Sequence, residues 1–265
     1  MDELTVEIGG LRTAFVTRDP EVLDVIAGRY AGFLATGAAD WRIEVDRRGE
    51  GLVDLEDVVV RAAGRLDRLV AERHDFVATL DLPARTGSLS LGAVDHVAVD
   101  SFLRVAYSLA LLEAGALLVH AASLGRQARS WVFAGPSGSG KTTLTRLSPD
   151  ATLLSDEISI VRLGDDGGAC CYGSPFWGEL GEAGRNLAVP LTAVHFLRHA
   201  DRHATTALAP RRALTALLPN VLFFAAEPAL VARVLDVAAD LVGRVPCYAL
   251  GFRPEASVWE AIEGA

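Results

Sequence analysis

The sequence predicts an α/β fold: a mixed sheet with flanking helices, preceded by a small N-terminal α/β region. Three observations carry this. The apolar segment SWVFA runs straight into a glycine-rich turn and then a helix, KTTLTRL. Residues 1–95 read as short strands around one helix. Residues 96–265 alternate amphipathic helices with continuous apolar strands, the pattern of a sheet covered on both faces.

In the N-terminal region TVEIG and LRTAFV alternate as strands. EVLDVIAGRYAGFLA reads as a helix started by Asp19-Pro20. WRIEVDR, DVVVRAA, DRLVAE and HDFVATLDL read as further short strands of an antiparallel sheet. His74 and His96 are isolated, which favours surface or packing roles. The boundary is expected near residue 95, with 1–95 serving substrate recognition or assembly.

Beyond it, Asp100 or Ser101 is placed to cap a helix over 100–114. Its apolar face holds Phe102, Val105, Ala106, Leu109 and Leu112. Gly115 ends it. ALLVHAASL is a buried strand, GRQA a turn and SWVFA the next strand. LTAVHFLRHA is a core strand with His195 buried and His199 near its end. Helices follow over 210–218, opened by Pro210, and over 227–243. VPCYAL is the last strand, and FRPEASVWEAI packs the tail over the core.

Composition narrows the function. The 265 residues are 51% hydrophobic and 22% charged, values that exclude a disordered or collagen-like chain. The formal charge of −9 argues against a broad nucleic-acid surface. Cys170, Cys171 and Cys247 make no disulfide framework, and no Cys/His spacing suits zinc. The apolar stretch 102–124 contains Arg104, Glu113, Gly115 and His120, so a core helix followed by a strand fits better than a membrane span. The start, MDELTVEIGG, lacks the basic and apolar blocks of a secretory signal. The expected location is cytoplasmic.

The chemistry concentrates in Gly135-Pro136-Ser137-Gly138-Ser139-Gly140-Lys141-Thr142, a match to G-x-x-x-x-G-K-[ST] between a strand and a helix. Its glycines let main-chain N–H groups turn towards phosphate oxygens. Lys141 can reach the β and γ phosphates, and Thr142 can offer its hydroxyl to Mg²⁺. Thr143 is a neighbour at the cap. Of the 25 basic residues Lys141 is the single lysine, so the one amine sits in this motif.

Asp156 and Glu157 follow the apolar run Leu153-Leu154 in ATLLSDEISIV. A carboxylate at the end of a strand beside the phosphate loop is placed to hold Mg²⁺, and its neighbour can take the proton of an attacking hydroxyl. The pair follows Lys141 after fourteen intervening residues, too few for the further βα unit usual in GTPases and transport ATPases.

LLVHAASLGRQARSWVFAGPSGSGKTTL together with ATLLSDEISIV resembles the HPr kinase/phosphorylase family and its relatives with a phosphoenolpyruvate-carboxykinase-like P-loop core. Length and GSPFWGE are more similar to the small HPr-kinase-like proteins found with modified-peptide, including lasso-peptide, biosynthesis. The resemblance covers roughly 99–250 and is strongest at the loop. It implies a P-loop kinase core, ATP and Mg²⁺ as cofactors, and transfer to a serine hydroxyl of a peptide or small protein. The acceptor in the closer relatives is a natural-product peptide. It also implies a His like His120 one strand before the loop, an acid/base role for Asp156, and assembly into homo-oligomers. The pair here is Asp-Glu, where the family has Asp-Asp.

CCYGSPFWGELGEAGRN is the expected substrate or nucleotide loop. Trp177 can stack on a base or close the site, Glu179 can ligate metal, and Arg185 can steady a transferring phosphoryl group. Arg202 and Arg253 are weaker phosphate candidates. The leading expectation is a metal-dependent kinase. A nucleotide-binding regulatory module and a small-molecule hydroxyl kinase are the alternatives.

Overall fold

A computed structural model describes residues 1–48, 56–63 and 65–264. The chain is α/β, and its contacts divide it into two units. The first comprises Met1–Glu113 and Phe223–Arg233; the second comprises Ala114–Leu222 and Val234–Ala265. Among the described residues no helix is long and apolar enough to cross a membrane.

The first unit holds β1 (Asp2–Ile8), β2 (Leu11–Thr17), α1 (Pro20–Arg29), β3 (Leu34–Ala35), β4 (Trp41–Arg47), β5 (Val59–Ala63), β6 (Arg65–Arg73), β7 (Phe76–Asp81), β8 (Thr86–Leu91) and α2 (His96–Glu113). Asp19 caps α1 by accepting from the Glu21 N–H, with Pro20 in the first turn. The sheet order is β3-β1-β2-β4-β8-β7-β6-β5. It is not the antiparallel sheet expected, since β2 pairs parallel with β4, and β4 parallel with β8. The reason is the crossover: α1 leaves the end of β2 and returns the chain to start β4 in the same direction, which a tight hairpin cannot do. β8, TGSLSL, was not foreseen because its Ser and Gly residues mask the alternation.

Two expectations about α2 are corrected. It begins at His96, and Asp95 is its cap, accepting from the Val97 and Ala98 N–H groups. Asp100 instead binds Arg29 at 2.6 Å and the Tyr30 hydroxyl. The division also falls after α2 and not near 95, because its apolar and polar contacts are with the N-terminal sheet and α1. Phe102 meets Phe76 edge-on at 6.2 Å, and the Tyr107 and Thr13 hydroxyls bond at 2.8 Å. Gly115, at φ +69°, ends the segment as expected.

The second unit holds β9 (Ala116–Arg126), β10 (Arg129–Ala134), α3 (Lys141–Arg146), β11 (Thr152–Ser155), β12 (Ile158–Leu163), β13 (Ala169–Tyr172), β14 (Ala188–His199), β15 (Ala204–Ala207) and α4 (Pro210–Leu217). α5 (Pro228–Arg244) begins in the first unit and runs into the second, followed by β16 (Cys247–Phe252) and α6 (Val258–Glu263). β9 and β10 form a hairpin whose turn residues, Gln127 and Ala128, both have positive φ. β10 pairs with β9 on one side and β14 on the other. Pairings β9–β12, β12–β13 and β13–β14 then close these strands into a ring. β10, β14 and β16 run parallel, so their C-terminal ends share one side. Trp131, Phe133, Leu144, Phe252 and Trp259 form the core under that side. α6 is anchored there by Trp259, which crosses Trp131 edge-on at 5.4 Å and donates to Ser148.

His195 is fully buried in this core, stacked between Phe133 and Tyr248 at 5.6 and 5.3 Å. Among the described residues neither ring nitrogen meets a hydrogen-bond partner, and burial holds its pKa down to about 4. An unfolded imidazole titrates near ~6.5, so the unfolded chain binds the proton more readily. Stability is therefore expected to fall as pH drops below that value, by about 2 kcal/mol at pH ~5. Urea unfolding of wild type and His195→Phe at pH ~5 and ~7.5 checks it: the variant loses this part of the pH dependence. Equal acid sensitivity in the two proteins would assign the effect to other groups.

Candidate functional site

β10 ends at Ala134, and the chain turns through 135–140 into α3. Gly138 and Gly140 take φ of +76° and +101°, a left-handed backbone that glycine tolerates best. At Gly140 the constraint is double, because a Cβ would lie 2.6 Å from the Phe252 ring. The turn is closed by the Ser139 N–H donating to the Pro136 carbonyl. Lys141 opens α3 and is 7% exposed. Its Nζ donates to the Gly135 carbonyl at 2.9 Å and the Pro136 carbonyl at 3.3 Å. Burial pushes its pKa below the ordinary lysine range, against the opposing fields of Glu157 and Glu179.

The acidic pair occupies the turn between β11 and β12. β9 pairs with both strands, which brings His120 opposite Ile158 and the turn over the middle of β9, where the Ala121 N–H donates to the Glu157 carbonyl. The two carboxylates have different surroundings. Asp156 is 3% exposed. Its Oδ1 accepts from the Gly178 N–H and its Oδ2 from the Leu180 N–H, each at 2.9 Å. Glu157 is partly exposed, and its Oε1 lies 3.6 Å from His120 Nε2. Gly178 leaves the room Glu157 needs, since a Cβ there would stand 2.7 Å from Glu157 Oε2.

These groups border one cleft of about 610 Å³. From the loop it is lined by Ser137, Gly138, Gly140, Lys141, Thr142 and Thr143. The facing wall is His120, Asp156, Glu157, Gly178 and Glu179. Thr143 thus borders the cleft as well as sitting near the cap. Gly135, Pro136 and Ser139 do not line it; they shape the turn through the bonds above and a close Gly135–Ser139 approach. Arg185 is exposed and does not line the cleft. Its main-chain N–H is held by the Leu153 carbonyl, which fixes that stretch alongside β11. Trp177 is half-buried and also outside the lining.

Among the described residues no group of three or more His, Cys, Asp or Glu side chains makes a self-sufficient metal site. The donors along the cleft are the Thr142 hydroxyl and carboxylates, hard oxygens of the kind Mg²⁺ takes. Mg²⁺ commonly uses one or two protein carboxylates and completes its shell with phosphate and water, so this set fits it. His199, which the sequence places only near the end of a core strand, also meets the turn. Its Nε2 lies 2.8 Å from the Gly138 carbonyl, a contact between residues 61 apart that no local pattern announces.

Fold and cleft together define an α/β protein whose glycine-rich turn faces a carboxylate-bearing wall. Residues 93–265, about two thirds of the chain, match the family model for ScmC, SynChlorMet cassette protein ScmC. The chain belongs to the ScmC family. No curated protein matches it.

Proposed function

We propose that the protein is an ATP- and Mg²⁺-dependent phosphotransferase with a P-loop kinase core of the HPr kinase/phosphoenolpyruvate-carboxykinase type. It moves the γ-phosphoryl group to a hydroxyl, preferably a serine of a peptide or small protein. One observation carries the reading. The loop with Lys141 and the wall with Asp156, Glu157, Glu179 and His120 border the same cleft, so a terminal phosphate and a proton acceptor can share it.

Main-chain N–H groups of the turn hold the phosphates, and Lys141 Nζ exchanges the Gly135 and Pro136 carbonyls for phosphate oxygens. Mg²⁺, when bound, offsets charge on the β and γ oxygens; Thr142, Asp156 and Glu179 are the residues to hold it. The acceptor oxygen bonds to the γ phosphorus as the bond to the bridging oxygen breaks, leaving ADP. The acceptor's proton passes to a carboxylate. Glu157, beside His120 and open to the cleft, suits that task. Each Asp156 oxygen accepts one main-chain N–H, which keeps Glu179 and its loop in place and leaves each oxygen a further lone pair for the metal.

Labelled ATP, Mg²⁺ and candidate peptides test the proposal. Label is expected on a peptide serine; label on a small hydroxyl compound would redirect the acceptor class. ATP binding with no labelled acceptor would favour a regulatory nucleotide-binding module. That second reading draws on Arg185, whose place outside the cleft leaves Lys141 as the one permanent cation lining it among the described residues.

A further inference from the structure

The turn over 135–140 has a weak point. Gly138 sits at φ +76°, and the space where its Cβ would lie is empty to beyond 4 Å. No side chain at that position resists rotation of the peptide between residues 138 and 139, whose N–H side is held by the Pro136 carbonyl and whose carbonyl side needs a partner of its own. In a trans peptide the carbonyl and the N–H point in opposite directions. A rotation that turned the Gly138 carbonyl towards the phosphates would present an oxygen to anions, and their repulsion would weaken binding.

His199 meets this carbonyl. It ends β14, and its exposed ring places Nε2 2.8 Å from the Gly138 oxygen. A carbonyl only accepts, so Nε2 carries the hydrogen. The bond commits that oxygen to the imidazole. The adjoining strand supplies a second brace. His199 is the register partner of Phe252 on β16, and the Phe252 ring lies against Gly140. One cross-strand pair thus touches both left-handed glycines of the turn.

We infer that His199 is a positioning residue for the phosphate-binding turn, acting through the Gly138 peptide and touching neither metal nor acceptor. The inference rests on the nucleotide-binding reading proposed above. Its effect belongs to nucleotide affinity and not to the transfer step.

Calorimetric titration of Mg-ATP into wild type, His199→Gln and His199→Ala tests it, with turnover measured at saturating ATP and melting curves for each. The Ala variant is expected to bind about tenfold more weakly, the scale of one lost hydrogen bond, with near-normal saturated turnover. Gln carries an N–H donor at a similar reach and is expected to restore affinity to within about twofold. His199 is exposed, so melting temperatures should match. Binding by wild type with equal affinity in all three proteins would overturn the His199 role and leave the nucleotide reading standing. Gln binding as weakly as Ala would overturn it too, by removing the hydrogen bond as the cause. No binding by wild type would overturn both.

Discussion

Lys141→Ala is expected to lower kcat/KM for phosphoryl transfer by about 10³-fold while leaving the protein folded. The amine is one of a kind in this sequence, opens the helix after the glycine-rich turn and donates to two carbonyls of that turn. Burial disfavours its charge, so its removal takes away a group the fold holds at a cost. The activity loss and the stability change should therefore part company. Lys141→Arg is expected to fail as well, because a planar guanidinium cannot replace a compact ammonium in a site 7% exposed. Kinetics with labelled ATP, alongside thermal melts, give the comparison. A loss of less than tenfold would remove Lys141 from the phosphate site.

The second expectation separates the adjacent carboxylates. Asp156→Asn is expected to destabilise the protein by about 3 kcal/mol and to reduce transfer, because a buried carboxylate accepting two main-chain N–H bonds is replaced by an amide with one acceptor. The amide NH₂ would face an N–H donor, and the stretch carrying Glu179 would loosen. Glu157→Gln is expected to leave unfolding almost unchanged, since the side chain is partly exposed, yet to cut transfer by about 10²-fold or more. Urea unfolding and steady-state kinetics on both variants decide between the roles. An Asp156→Asn protein as stable as wild type would show that the loop does not depend on the carboxylate. Full activity in Glu157→Gln would move the proton to another group.

Much of this site was legible locally. The glycine-rich motif is eight consecutive residues, with a strand directly before it and a helix opening at its Lys141. The Asp19-Pro20 helix start and the Gly115 stop are equally local, each fixed by the φ or hydrogen-bonding capacity of one residue. The acidic pair was legible because a short turn between two apolar runs can face few directions. The placing of Arg185 was not legible: its main chain is tied to β11 through the Leu153 carbonyl, and nothing in composition says which way a side chain then points. Asp100 was read as a cap because Asp before an apolar face is a common helix start. Its actual partners, Arg29 and Tyr30, lie about 70 positions away.

Residue types and their spacing were enough to establish the α/β class, the glycine-rich turn between a strand and a helix, and the two adjacent carboxylates that border the same cleft. Chain crossing settled the rest. Closure of β9, β10, β12, β13 and β14 into a ring, the parallel run of β2, β4 and β8, and the meeting of His199 with Gly138 all join segments far apart in sequence. Which carboxylate of the pair accepts main-chain N–H groups and which stays partly exposed follows from where 178–180 returns to the turn. Turns and caps are set by bonds between near neighbours. Pairings of distant strands depend on the burial and hydrogen bonding of the whole sheet at once, and a linear pattern does not record them.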